Sequence, residues 1–215
     1  MQGSDKLSKP ITITKEKILD AAFEITRIEG IKSLSNRAIA KKLNSSIRPI
    51  YYQFKNSEEL KNELNKKIEE YFYAYITKTP SSTEKEYMQT GLNYINFAKE
   101  ENNLFKLMFM TSTQTTIDDY IKDDSENQAA FKKIVEKSTN LKGEKIKTFH
   151  FKMWIFTHGL AVLINSGTLS LTKNQVKELL TEEYRALMLK EREDKNERNW
   201  SKKLKQKIQR TNRSR

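Results

Sequence analysis

The chain has no cysteine among its 215 residues. That excludes a disulfide framework, a cysteine-ligated metal and a thiol nucleophile, and it fits a reducing cytoplasm. Histidine is scarce: His150 and His158 are the 2 present, two turns apart in one predicted helix. No acidic cluster stands beside them at ligand spacing, so neither a metal nor a cofactor is expected. Six Gly and three Pro are too few for the turns of a β fold and point to an all-α chain. No Gly-rich phosphate loop or nucleophile motif is present, which leaves an enzyme with little support. Long apolar runs are missing as well. The opening MQGSDKLSKPITITK contains none, so it does not read as a signal peptide. The most apolar stretch, Met153 to Ile164, is interrupted by Thr157, His158 and Gly159 and is too short to span a bilayer.

Positive charge is what the chain has in excess. The net charge of +12 implies a polyanionic partner, either nucleic acid or an acidic membrane surface. Residues 1–60 carry net +4, residues 61–190 net +2 and residues 191–215 net +6. The cations therefore concentrate at the two ends, around a nearly balanced middle.

The periodicity predicts helices throughout. Residues 1–13 read as a loose arm. Thr14 is a plausible N-cap, and Ile18, Ala21, Ala22, Ile25 and Ile28 recur at helical spacing up to Gly30, which ends the first helix. Ser35 caps a second helix with Ala38, Ile39 and Leu43 inward. Asn44 sits where the chain must turn sharply, and Asn tolerates the left-handed conformation. Ser46 is expected to cap a third helix. Pro49 falls in its first turn, where amides have no intrahelical acceptor, so nothing is lost. Ile50 and Phe54 point inward. Further helices are predicted at 57–78, 83–100, 103–111, 115–138, 143–167 and 173–195, the helix 143–167 being apolar on nearly all sides. The expected division is an arm (1–13), a DNA-binding domain (14–60, motif 35–54), a helical ligand-binding and dimerisation domain (61–195) and a basic tail (196–215).

The stretch Ser35 to Lys55, SNRAIAKKLNSSIRPIYYQFK, holds two short helices about a tight turn. A short basic second helix has the width of a major groove and faces base edges with its N-terminal residues. Ser46, Ile47, Arg48 and Pro49 occupy that end. Arg48 can bond guanine bidentately, and Ile47 suits a thymine methyl. Tyr51 and Tyr52 offer hydroxyls, Ser35 and Lys55 can hold phosphates, and Arg37, Lys41 and Lys42 add positive charge. A charged helical hairpin on the surface of a helical protein would show the same spacing.

Two segments carry a family likeness. ILDAAFEITRIEG followed by IAKKLNSSIRPIYYQFKNSEEL resembles the DNA-binding domain of the TetR family of transcriptional regulators over about residues 14–72. The shared pattern includes Tyr51, Phe54, Lys55, Glu59 and Leu60. Where that family commonly has Gly and then an apolar residue in the turn, this chain has Asn44 and Ser45. The resemblance implies that the third helix reads DNA, with Tyr51 and Lys55 on the backbone. FAKEENNLFKLMF and WIFTHGLAVLINSG resemble one C-terminal type of the same family, with Trp154 and the His158–Gly159 pair. That implies a homodimer formed through the last two helices, with Leu179, Leu180, Leu187 and Met188 at the interface. It further implies a repressor bound to a pseudo-palindromic double-stranded DNA operator and released by a small-molecule effector.

Tyr71, Tyr75, Met88, Leu92, Phe105, Met108, Phe109, Phe151, Trp154 and His158 read either as plain core or, through the resemblance, as the wall of a pocket for an apolar or aromatic effector. Buried Asn93 or Asn165 could orient it. The tail, with Trp200, Leu204 and Ile208 spaced by four among lysines, has three readings: a disordered solubilising tail, an arm on DNA phosphates, or a membrane-surface helix. The last gives the alternative function, a membrane-surface or structural helical protein.

Overall fold

The computed structural model describes residues 13–78, 86–111 and 126–213, with side chains left aside at 126–128, 130–131, 197–199 and 202–213. The described residues contain no strand. The helices are α1 (Lys15–Glu29), α2 (Asn36–Lys42), α3 (Arg48–Gln53), α4 (Ser57–Thr77), α5 (Glu86–Glu100), α6 (Asn102–Phe109), α7 (Glu126–Thr139), α8 (Glu144–Asn165) and α9 (Lys173–Arg213). The chain separates into two compact units. One runs through Tyr75 and takes in Glu100 onward with α6; the other holds the remainder.

In the first unit, α1 starts at Thr14, whose side chain accepts from Lys17 N, and ends at Gly30 with φ 86°. A single 3-10 turn, Ile31–Ser33, follows. Helix α4 carries Leu60, Leu64, Ile68 and Phe72 every four residues, all buried. Ile18, Ala22 and Ile25 of α1, Ile39 of α2, Ile50 and Phe54 of α3, and Leu104 and Phe105 of α6 are also buried side chains of this unit. Each such burial stabilises by about 1.5–3 kcal/mol. The exposed Lys67–Asp20 pair at 2.8 Å contributes at most about 1 kcal/mol. The apolar stripe, not the ion pairs, therefore holds α4. Ile28, expected on the inner face of α1, is 66% exposed. Phe23 and Thr26 are the additional buried residues of that helix, so the buried stripe leaves Ile28 outside it.

In the second unit, Tyr87, Ile134, Val135, Ile146, Phe149 and Met153 form one cluster, with Tyr184, Leu187 and Met188 packed against it. Gly91 allows α9 to approach: a Cβ there would lie 3.3 Å from Leu180 Cδ1. Leu180 is 2% exposed and belongs to its own subunit's core. Its expected place at a dimer interface is corrected on that ground. The predicted break near residue 195 is also corrected. No Gly or Pro occurs between Lys173 and Arg213, and α9 runs unbroken over 41 residues. Of the predicted 115–138 helix, residues 115–125 lie outside the described residues, as do 83–85 of the 83–100 helix. Helix α8 is apolar on its exposed side as well as its buried one: Ile155 and Leu163 are exposed, while Ile146, Phe149, Met153 and Leu160 are buried.

Candidate nucleic-acid interface

Ser35 begins the site. Its Oγ accepts from Ala38 N at 3.1 Å and caps α2, which leaves its O–H as a donor. The end of α2 is closed by the turn itself. Asn44 N donates to Lys41 O at 3.1 Å and Ser45 N to Ala40 O at 2.9 Å, with Asn44 at φ 49°. This is a Schellman closure with Asn in the left-handed position, where Gly is the usual residue. Asn44 therefore supplies the backbone conformation the motif needs, and Ser45 contributes its amide to the closure.

Helix α3 begins differently from expectation. Ile47, not Ser46, precedes its first residue, and no side chain caps it. Ser45 Oγ donates to Ser46 O at 2.8 Å, and Ile47 is already near helical geometry, so Ser46 is one residue too early to cap. Pro49 lies in the first turn as expected. Ile50 and Phe54 are buried, which fixes the rotation of the helix. Its other side is thereby turned outward: Tyr51 is 63% and Tyr52 85% exposed. Ser46, Ile47, Arg48 and Lys55 are exposed beside them, as are Ser35, Arg37, Lys41 and Lys42 on α2; Pro49 is half-buried.

The frame behind this face is tied down by charge. Lys55 N donates to Glu59 Oε2 at 2.7 Å while Asn56 Oδ1 accepts from Glu59 N at 2.8 Å, which starts α4. The Lys55 amide bond is the main reason the Glu59 carboxyl is held below its usual range. Lys15 reaches Glu63 at 3.3 Å and Glu59 at 3.6 Å, and lies 5.1 Å over the Phe54 ring. By contrast, among the described residues no carboxylate lies within 4.0 Å of the charged groups of Arg37, Lys41, Lys42, Arg48 or Lys55, although the Lys55 charge helps to lower the Glu59 carboxyl. Lys15, Arg27 and Lys67 are paired within the unit, whereas Arg37, Lys41, Lys42 and Arg48 on the outward face have no such pair among the described residues.

Sequence reasoning missed the polar knot of this unit. Glu101, 5% exposed, accepts from Arg27 Nε and Nη2 at 2.7 Å each and from Tyr71 Oη at 2.8 Å. Burial alone would raise the Glu101 carboxyl, but the Arg27 and Tyr71 hydrogen bonds outweigh it and the value is lowered. The same bond raises Arg27 further. Burial first, and then the Glu101 bond, push the Tyr71 phenol up to about 12. Tyr75 donates to Glu100 at 2.5 Å, and Asn103 Nδ2 donates to Arg27 O and Ile28 O at 3.0 Å. Helices α1, α4 and α6 are thus joined through polar side chains 30 to 76 residues apart in sequence. Nothing in the sequence marks it: Glu101 follows Glu100, and neither position differs in pattern from the chain's other acids.

The expected pocket residues divide between the units. Tyr71, Tyr75, Phe105, Met108 and Phe109 fall in the first; Met88, Leu92, Phe151, Trp154 and His158 in the second. Phe105 is fully buried beside Phe109, at 5.2 Å between rings. Trp154 stacks on His158 at 5.3 Å and on Phe151 at 6.1 Å. His158 Nδ1 and Tyr94 Oη share a hydrogen bond at 2.9 Å, and burial lowers the imidazole's proton affinity. Asn93 is committed to the fold: its Nδ2 donates to Ile76 O and Lys78 O. Leu179, Leu187 and Met188 are half-buried. Among the described residues no group of three His, Asp or Glu side chains could hold a metal ion, and no helix is long and apolar enough to cross a membrane.

No protein-family sequence model matches the chain, and no curated protein matches it by sequence. Solved structures match its fold. A protein of unknown function from Rhodococcus sp. RHA1 aligns with a TM-score of 0.61 at 16% identity, covering 84% of this chain and 97% of that one. A TetR-family transcriptional regulator from Haemophilus influenzae aligns at 0.56 with 19% identity, over 80% and 94% of the two chains. A TetR-family protein from Vibrio parahaemolyticus aligns at 0.55 with 16% identity, over 80% and 96%. The chain has the TetR-family fold, an all-α architecture with an N-terminal helix-turn-helix.

Proposed function

We propose that this chain is a sequence-specific DNA-binding transcriptional regulator. It acts as a cytoplasmic homodimer, represses at a pseudo-palindromic operator, and is released by an apolar or aromatic small molecule. The observation that carries the reading is the outward face of α2 and α3. There, among the described residues, Arg37, Lys41, Lys42 and Arg48 have no carboxylate partner, Lys55 is exposed beside them, and Tyr51 and Tyr52 stand exposed on a helix rotated by Ile50 and Phe54. Unpaired guanidinium and ammonium groups beside two phenols suit phosphates and guanine edges. Arg48 and Ile47 read bases; Ser35, Tyr51 and Lys55 hold the backbone.

Two copies set the spacing of the reading helices, about 34–36 Å for half-sites one turn apart. The dimer face favoured here lies on α8, where Ile155, Gly159 and Leu163 recur every four residues and are exposed, with Leu189 on α9. Leu179, Leu187 and Met188 contribute their uncovered parts. The effector lies against the Phe151–Trp154–His158 ladder. Helix α4, whose last residues belong to the same unit as that ladder, carries the response along its own length to the Asn56–Glu59 joint behind α3. That respaces the two heads and lowers affinity.

The test is binding to duplexes from around the chain's own coding region, against random-sequence competitor and over a salt series. A saturable complex that survives competitor with dimer stoichiometry is expected. Arg48→Ala should lose roughly 1–3 kcal/mol of preference at one base position. Lys55→Ala should weaken every sequence alike and flatten the salt slope by about 1. Arg48→Ala with unchanged base preference, or binding that competitor abolishes, refutes the assignment.

A further inference from the structure

Helix α9 changes character along its length. Val176 and Leu180 are buried, Leu187 and Met188 pack on the core cluster, and Lys145 of α8 pairs with Glu191. From Lys195 on, the described side chains are exposed: Lys195, Asn196, Trp200 and Ser201. Between Leu189 and Trp200 every residue is charged or Asn, so the apolar seam of the packed part is interrupted there. The helical backbone nonetheless runs to Arg213. From Lys195 that is about 27 Å of helix at 1.5 Å per residue. Residues 191–215 hold 10 lysines and arginines against 4 acids.

We infer that this segment of α9 is a second, sequence-independent surface for the phosphate backbone of double-stranded DNA. The inference rests on the DNA-binding reading for its partner, but on different residues. Charge complementarity selects a polyanion. Double-stranded DNA is the polyanion that the DNA-binding reading already supplies, and a sequence-independent contact needs only phosphates within reach of the cations. An anionic membrane surface is the other outcome of the test.

The experiment uses the full chain and a variant with Lys202→Gln, Lys203→Gln, Lys205→Gln and Lys207→Gln, which keeps good helix formers in place. Circular dichroism checks that helix content is retained. Binding of random-sequence duplex is followed by anisotropy over a salt series, alongside co-sedimentation with phosphatidylglycerol vesicles. The variant is expected to bind random duplex at least tenfold more weakly at about 50 mM salt. Its log–log salt slope should be shallower by about 0.9 for each phosphate that the variant no longer neutralises. Equal slopes for the two proteins overturn the inference, and so does a loss confined to vesicles. Competitor-resistant operator binding and its sensitivity to Arg48→Ala are read separately. Their absence sinks the helix-turn-helix reading while leaving the random-duplex result to decide this one.

Discussion

The two compact units keep polar groups inside by different chemistry. The first uses charge. Glu101 is buried with the Arg27 guanidinium forked onto it and the Tyr71 phenol alongside. The second uses neutral pairs: Tyr87 with His150 at 3.1 Å and Tyr94 with His158 at 2.9 Å, on the same two helices, α5 and α8. A charged knot is strong while both partners are present and costly when one is removed. Neutral imidazole pairs resist single deletions better but are sensitive to acid. The unit proposed to carry the DNA face is thereby insulated from mild pH change, and the unit proposed to hold the effector is not.

The largest test breaks the charged knot. Glu101→Ala removes the acceptor of Arg27 Nε and Nη2 and of this Tyr71 hydrogen bond, leaving Arg27 its looser pair with Glu24 at 3.7 Å. Because the Arg27 side chain is 38% exposed and can be rehydrated, the low end of the range for broken buried pairs applies, about 3 kcal/mol. Urea unfolding followed by circular dichroism measures it. The double variant Arg27→Met/Glu101→Leu should lose less than the two single changes together, because no lone charge is left buried. Additive losses would mean that the knot is only a surface pairing.

Acid should act on the other unit. Burial pushes the His150 imidazole down to about 4 from its ordinary 6.5. Between those values the unfolded chain takes up a proton that the folded chain refuses, so stability falls as pH drops through this window. From pH 7 to pH 5 the loss is about 2 kcal/mol at 1.36 kcal/mol per unit. His158 shifts in the same direction and adds to it. Glu101 works the other way: its carboxyl is lowered from 4.5, so its contribution is complete above 4.5 and fades only as pH falls through the lowered value. Both tryptophans, Trp154 and Trp200, lie in the second unit, so fluorescence-detected urea unfolding at the two pH values reads that unit. His150→Gln should remove most of the dependence; an unchanged dependence in that variant would assign it elsewhere.

What could be read from sequence was local. Thr14, Gly30, Ser35 and Asn44 act within four residues of their partners, and Pro49 within its own first turn, so their chemistry is written in adjacent positions. The orientation of α3 followed from Ile50 and Phe54 for the same reason. The knot at Glu101 was not legible, because its partners lie 74 and 30 residues away and one carboxylate among the chain's 28 acids has no distinguishing neighbour. Leu180 is a similar case. A leucine on the last helix fits a subunit core or a dimer seam equally well, and only the approach of Gly91 decides between them. The length of α9 was legible in the absence of any breaker up to Arg213, a signal outweighed by the change in composition near residue 190.

The smallest test concerns hydroxyls, where the contrast between the units reverses. Thr157 in the second unit donates to Met153 O at 2.7 Å, and Thr139 to Val135 O at 2.7 Å. Thr26 in the first unit is fully buried, and among the described residues its Oγ1 has no hydrogen-bond partner. A buried hydroxyl without a partner carries its desolvation cost uncompensated, about 1 kcal/mol or more, and valine has the same shape without it. Thr26→Val should therefore raise stability by about 1 kcal/mol, while Thr157→Val should lower it by about 0.5–1 kcal/mol because its hydrogen bond to Met153 O is removed. Opposite signs at two buried threonines, each replaced by the same isostere on a helix interior, cannot come from helix propensity, which is the same for both exchanges. If both variants lose stability, the Thr26 hydroxyl has found an acceptor, and the helix carbonyl four residues before it, at Ala22, is the one within reach.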